Sequence, residues 1–422
     1  MQAGKQMKNR FLKQKKLIWI ICITALAIAM GCVFATCSSA QAEVAGPVSA
    51  SPDGQKADVA AADAQTDSAK TAEDNYSRWL NSHYSAKIYT QEMWLTDLLK
   101  ALYPSDGNSI GDQTVFAAAY RHGLIDSAEG QPYSSLTRRY VAQTLFNAFG
   151  YQAKKCTATD LDRTDVALST LVYYGFFIPD ENGKVYPDAA ITGEEYQQLL
   201  EELRRYKSLN GKTVLSFGDS IMYGRGNNDN GIADMICEKY GMRSIDHSVS
   251  GATFAEYPRR NVIPAQIESA SKMDIDPDII LINGGTNDME FIPYGRPTDG
   301  YDAQDFDKKT YAGGFEYAAY LLQHYWQDTP VIYIRAHNMA TVDDAKEREY
   351  GELAITLSEK WRMNAVDIYN DTDFSTENPE IRDAYTIYKK RLGHADGIHP
   401  TALGYAKFYL PLICDELAAI LA

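Results

Sequence analysis

Three side chains in this sequence have the types needed to cleave an acyl bond: Ser220, Asp396 and His399. A serine hydroxyl is a weak nucleophile until a base removes its proton, and an imidazole that titrates near neutrality suits that task. Asp396 lies three residues before His399, close enough to accept the second ring N–H, fix the tautomer and stabilise the imidazolium. Ser220 closes the turn Gly218-Asp219-Ser220 behind the apolar run Val214 to Phe217. A buried parallel strand that stops at a sharp turn would hold this hydroxyl at the carboxyl end of a sheet, where open α/β folds place their ligands.

Two further blocks stand between these residues. Ser248-Val-Ser-Gly251 follows a second predicted strand, and Gly284-Gly-Thr-Asn-Asp288 follows a third, Asp278 to Asn283. With Asp396-Gly-Ile-His-Pro400 they make four blocks in a fixed order, and from about residue 212 onwards the chain resembles the SGNH (GDSL-type) serine hydrolases. The resemblance implies an oxyanion hole made by the backbone N–H of Ser220, the backbone N–H of Gly251 and the side-chain amide of Asn287. The types fit: acyl transfer needs donors aimed in advance at the developing charge, glycine lets substrate approach the main chain, and a neutral amide donates without bringing a charge. Asp246 and Ser248 stand where the family usually has Asn and Gly, so the loop presenting Gly251 is expected to be shaped differently. Asp219 and Asp288 are assigned to holding their loops. No Gly-x-Ser-x-Gly elbow surrounds Ser220, which separates the chain from the other α/β-hydrolases.

The elements that must position these residues alternate. Strands are expected at Val214–Phe217, Arg243–Val249, Ile279–Ile282, Val331–Arg335 and Asn364–Tyr369. Helices are expected near Ile232–Tyr240, Phe315–Tyr325, Asp344–Trp361 and Thr401–Leu421. Such alternation predicts a parallel sheet covered by helices on both faces, a three-layer α/β/α hydrolase domain over residues 210–422. The long segment Glu290 to Gly314 is a candidate lid, with Tyr294, Tyr301 or Tyr311 as platforms for a sugar, and Arg259 and Arg260 as possible contributors from the second block.

Residues 76–209 read as a small all-helical repeat domain. Thr90, Thr137 and Thr192 each open an amphipathic pattern as N-caps, with Glu195 completing a capping box after Thr192. Shorter helical patterns, Val115 to Gly123 and Val166 to Gly175, precede the second and third units and end in glycine. A unit this short cannot cover its own apolar face, so three would pack together. This half resembles S-layer homology repeats, which implies attachment to a cell-wall polymer; the family's Thr-Arg pair is kept only as Thr137-Arg138. A helical domain that merely packs on the hydrolase is the plainer alternative.

The chain begins with Lys5, Lys8, Arg10, Lys13, Lys15 and Lys16, then an apolar stretch from Leu17 to Ala35 and a small-residue site ending at Ala42. Residues 1–42 therefore read as a secretory signal peptide or, given the length of the apolar stretch, a membrane anchor. Lipidation at Cys32 fits less well. Residues 43–75, poor in large apolar side chains, read as a disordered linker. The formal charge is −15. Removing residues 1–42 takes away six of 41 basic residues and none of 56 acidic ones, leaving −21, which argues against nucleic acid or an anionic membrane as partner. Cys156, Cys237 and Cys414 are odd in number and widely spaced, so they are expected as small buried hydrophobes, and no metal or cofactor is called for. His247, His337 and His394 are expected to be polar lining or satisfied loop residues.

The sequence thus reads as a secreted, cell-wall-associated serine esterase acting through an acyl-serine intermediate, most readily on O-acyl (acetyl) groups of a carbohydrate. A lipase or thioesterase of the same fold is one alternative, and a non-catalytic glycan-binding surface protein is another.

Overall fold

The structure, a computed structural model, describes residues 88–107, 114–258 and 260–421. The expected leader (1–42), linker (43–75) and Arg259 lie outside the described residues. Among the described residues no helix is long and apolar enough to cross a membrane.

The first half is helical: α1 (Gln91–Leu102), α2 (Val115–Arg121), α3 (Arg138–Phe149), α4 (Val166–Tyr173) and α5 (Gly193–Leu209). Thr90, Thr137 and Thr192 cap α1, α3 and α5 by accepting the N–H of Met93, Tyr140 and Glu195, and the Glu195 carboxylate returns to the Thr192 N–H. The three cap segments are also joined to one another. Leu136 N–H donates to Tyr89 O, and Ile191 N–H donates to Leu136 O, so the middle unit is bonded on both sides. This edge pairing satisfies backbone groups that the short units leave open.

In the second half β1 (Thr213–Phe217) is followed by α6 (Ser220–Tyr223), α7 (Ile232–Tyr240) and β2 (Arg243–Asp246). Then come α8 (Ile263–Ala270), β3 (Ile279–Asn283), α9 (Asp288–Phe291), α10 (Tyr311–Tyr325), β4 (Val331–Arg335), α11 (Asp344–Lys360) and β5 (Asn364–Asp367). All five strands are parallel, in the order β2-β1-β3-β4-β5. The order reverses between β1 and β3, and Ser220 stands at the carboxyl end of β1, beside that switch point. After β5 the chain forms α12 (Pro379–Tyr385) and an antiparallel ribbon of β6 (Thr386–Lys389) and β7 (His394–Pro400), then ends in α13 (Leu410–Leu421).

The central strands are buried on both faces, and their side chains divide by the strand period of two. Leu215, Phe217, Ile280, Ile282 and Tyr333 face the core under α8, α10 and α11. Val214, Ile279, Leu281, Ile332 and Ile334 face the opposite core, which continues through α7 and α13 into Leu199, Leu203, Tyr174 and Leu171 of the helical half. One apolar core therefore runs from the sheet into the helical half. Cys237 and Cys414 are buried free thiols within it, and Cys156 is half-buried.

Candidate active site

Gly218 has no room for a side chain, since a Cβ there would lie 2.5 Å from Asn283 O, and its backbone is clamped on both sides by the Gln266 amide. The turn that follows is capped by Asp219, whose Oδ1 accepts the Ile221 N–H at 2.9 Å. Ser220 thus opens α6, with its side chain at the rim of the sheet and the residue only 7% exposed.

His399 reaches this hydroxyl on β7. Its Nε2 lies 2.9 Å from Ser220 Oγ and its Nδ1 lies 2.8 Å from Asp396 Oδ2. Asp396 Oδ1 accepts the N–H groups of Ile398 and His399, each at 3.0 Å, which turns the carboxylate so that its other oxygen faces the ring. Burial pushes the Asp396 pKa up, but the bonds from the His399 ring and from these two N–H groups outweigh it and leave the acid below its ordinary value. An ionised Asp396 at Nδ1 keeps the ring proton there, so Nε2 presents its lone pair to the serine.

Gly251 stands in left-handed backbone, with φ +82°, beside this pair of elements. A Cβ there would meet only Arg260 Nη1 at 3.6 Å, so the backbone angle, and not crowding within the protein, demands glycine. Among the described residues neither the Ser220 nor the Gly251 N–H has a hydrogen-bond partner. Asn287 Nδ2 donates to Ala252 O at 3.0 Å and, more weakly, to Asp219 Oδ2 at 3.4 Å, while its Oδ1 faces Arg260 Nη1 at 3.4 Å. The loop before Gly251 takes the unusual residues into account: Asp246 accepts from Ser216 Oγ, Ser248 N and Ser248 Oγ, an Asx-type turn that ends β2 at Asp246 although the sequence pattern runs on to Val249.

Asp219 and Asp288 are both fully buried. Asp288 accepts the Phe254 and Ala255 N–H groups at 3.0 Å each and so ties the Gly251 loop to the Asn287 block. Burial pushes Asp219 up to about 6 and Asp288 up to about 7. His337 is buried too, stacked on Phe374 and bonded through Nδ1 to Tyr409 OH at 2.8 Å; burial lowers it to about 3, so it is a neutral structural ring behind the Gly397 carbonyl. His394 Nδ1 bonds the Ala395 carbonyl, and the His247 ring tilts against Phe217.

Of the expected lid, Glu290 lines the Ser220 cavity and Phe291 lies under Arg260, but its middle is held elsewhere. Lys360 Nζ, at the end of α11, binds Thr298 O at 2.6 Å and Gly300 O at 2.9 Å, and also pairs with Glu316. Because α11 leads into the start of β5 and all strands are parallel, that end of the helix lies at the amino end of the strands, opposite the carboxyl end that carries Ser220. Tyr301 meets Trp361 there edge to face, and Tyr294 packs on Tyr350. Tyr311 is core, filling the space beside Gly285. None of the three lines the Ser220 cavity. That cavity, about 440 Å³, is bounded by Thr286, Asn287, Met289 and Glu290 on one side, by Ile398 and His399 on another, and by Thr341, Val342, Asp343 and Lys346. This last wall was not anticipated, although its position after β4, at the carboxyl end of a central strand, is the signal that marks it.

Residues 216–407 match the model of the GDSL-like Lipase/Acylhydrolase family. The match spans the α/β half of the chain and takes in Ser220, Gly251, Asn287, Asp396 and His399. Among solved structures, a protein from Lactobacillus plantarum is 20% identical, with 50% of this chain and 97% of that one covered and a TM-score of 0.41. An acetyl xylan esterase variant from Geobacillus stearothermophilus is 17% identical, with 49% of this chain and 96% of that one covered and a TM-score of 0.33. A search of curated proteins finds no match.

Proposed function

We propose that this protein is an exported serine esterase that removes small acyl groups, acetyl above all, from a cell-envelope carbohydrate. The observation that carries the chemistry is the continuous relay Asp396 Oδ2 to His399 Nδ1 (2.8 Å) and His399 Nε2 to Ser220 Oγ (2.9 Å). Ser220 Oγ attacks the ester carbonyl as His399 Nε2 takes its proton, and the carbonyl oxygen becomes an oxyanion. The open N–H groups of Ser220 and Gly251 receive it, and Asn287 Nδ2 joins them by exchanging its weaker bond to Asp219. Collapse expels the alcohol, which takes the proton from His399 and leaves acyl-Ser220. Water then attacks with His399 again as base, releasing the acid and restoring the serine.

The polar walls of the cavity, Thr286, Glu290, Thr341, Asp343 and Lys346 against Met289, Val342 and Ile398, favour a hydroxyl-rich alcohol over a long acyl chain. The export pattern and the wall-binding resemblance of the Thr-capped repeats support an envelope location. Acetate release across acetylated xylan, acetylated peptidoglycan and 4-nitrophenyl esters of increasing chain length tests the reading. Release from one acetylated polymer, with activity falling as the acyl chain lengthens, is the expected result. A preference for long-chain esters would transfer the protein to the lipases or thioesterases. Retention of the full chain on purified cell-wall sacculi tests the repeats.

A further inference from the structure

We propose that the helical half is a working part of the catalytic centre, with Tyr173 on α4 acting as a positioning residue for His399 through the loop 224–231. For activity this rests on the serine-esterase reading.

The loop joins α6, which carries Ser220, to α7. Its backbone bears directly on the strand that carries the imidazole. A Cβ on Gly226 would lie 2.6 Å from His399 O and 2.2 Å from Pro400 O, so nothing separates the two segments. The loop also holds two consecutive non-glycine residues in the left-handed region, Asn228 at φ 52° and Asp229 at φ 59°. Asn and Asp tolerate that region without preferring it, so the surroundings must maintain the conformation.

Part of what maintains it is local, since Asn227 Nδ2 donates to Asn230 O and Asn230 Nδ2 donates to Glu238 on α7, each at 2.9 Å, and part comes from the other half of the chain. Asn227 Nδ2 donates to Tyr173 OH at 2.8 Å, and Asn230 Nδ2 donates to the same oxygen at 3.0 Å. The two asparagines bracket the left-handed pair, so the phenolic oxygen ties both sides of the strained step to α4. Tyr173 is itself buried, at 7% exposure. Its helix is seated against the catalytic half a second time: beyond α4, Gly175 takes φ +78° and leaves only 2.8 Å between its Cβ position and Ala406 O, in the helical segment Tyr405–Tyr409 that follows β7. One residue earlier Tyr405 OH donates to Ile221 O at 2.8 Å, next to the nucleophile. The helix after Ser220 and the strand bearing His399 therefore both lean on elements that the repeats hold in place.

The test uses the full chain with Y173F and, as a control, Y151F. The Tyr151 hydroxyl donates to Lys239 O at 2.7 Å, a buried bond in the same contact with α7 but away from the loop. With 4-nitrophenyl acetate, well below the melting transition of each variant, Y173F is expected to lower kcat about tenfold with KM within about twofold, since small displacements of a catalytic group are costly. Y151F is expected to leave both constants unchanged. G226A, which presses on the His399 backbone from within the hydrolase, should reproduce the kcat-selective loss. Hydrogen exchange supplies a readout independent of activity: amides of 224–231 and 398–401 should exchange faster in Y173F and not in Y151F. A Y173F kcat within about twofold of wild type, or an equal loss in Y151F, overturns the proposal. If wild type shows no esterase turnover while exchange at 398–401 still responds to Y173F alone, the esterase reading fails and the positioning contact stands.

Discussion

Replacing Asp396 by asparagine should damage the enzyme more than replacing it by alanine. Asp396 Oδ1 accepts two backbone N–H groups and Oδ2 accepts the His399 ring. An asparagine keeps the two backbone bonds only by placing its carbonyl at the Oδ1 position, which turns its NH2 towards Nδ1. That nitrogen must then be bare, the ring proton moves to Nε2, and His399 faces Ser220 as a donor with no lone pair for its proton. The opposite amide orientation restores the useful tautomer but leaves two N–H groups without an acceptor, at about 1–3 kcal/mol each. The productive arrangement is therefore disfavoured by roughly 2–6 kcal/mol, or about 30-fold to 10⁴-fold in kcat at 1.4 kcal/mol per decade. Alanine imposes no wrong tautomer, so Asp396→Ala should lose less. The assay is kcat/KM on 4-nitrophenyl acetate, normalised by burst amplitude, for both variants under conditions where each is folded. An asparagine variant as active as the alanine variant, or within about threefold of wild type, would refute the role given to the carboxylate.

Two further outcomes follow from the geometry. Gly251→Ala has space for its methyl group but must hold φ +82°, so a cost of about 1–2 kcal/mol is expected together with a fall in kcat as the loop N–H moves; equal activity and equal denaturation midpoints would show that the backbone angle is not constrained. The buried Asp288 has a folded pKa near 7 against an unfolded value near 4, so the native state binds the extra proton and stability falls as pH rises from about 4 to 7. The effect is at most about 4 kcal/mol, and Asp219 adds to it in the same direction up to about pH 6. Asp288→Asn should flatten the slope in urea titrations at pH 4.5 and 7.5; identical slopes in the two proteins would contradict the burial argument.

Much of the positioning scaffold was legible because it depends on local patterns. Val331–Arg335 and Ile232–Tyr240 appear with the bounds the sequence suggests, since each is an apolar pattern with abrupt flanks: Pro330 before the first, Gly231 and Gly241 around the second. The three threonine caps were readable for the same reason, as a cap spans only three residues. The misses are of two kinds. Some depend on a single side chain overriding a pattern: Asp367 caps a helical turn at Ile368, so β5 stops short of the expected Tyr369. Others depend on contacts distant along the chain. The sequence pattern predicts no strand around His399, yet the segment is half of a ribbon whose partner β6 carries a weak pattern of its own, and the long segment after α9 is claimed by Lys360, about 60 residues away. Tyr173 belongs to the same kind, because nothing in its helix points to Asn227 and Asn230.

Catalysis depends on a hydroxyl that His399 makes nucleophilic, and labelling Ser220 tests this most directly. Folded wild type treated with a fluorophosphonate should gain one adduct by intact mass, mapped to Ser220, with none on Ser220→Ala and much slower labelling on His399→Ala. Wild type that takes up no label, or a Ser220→Ala variant labelled as fast as wild type, would contradict it.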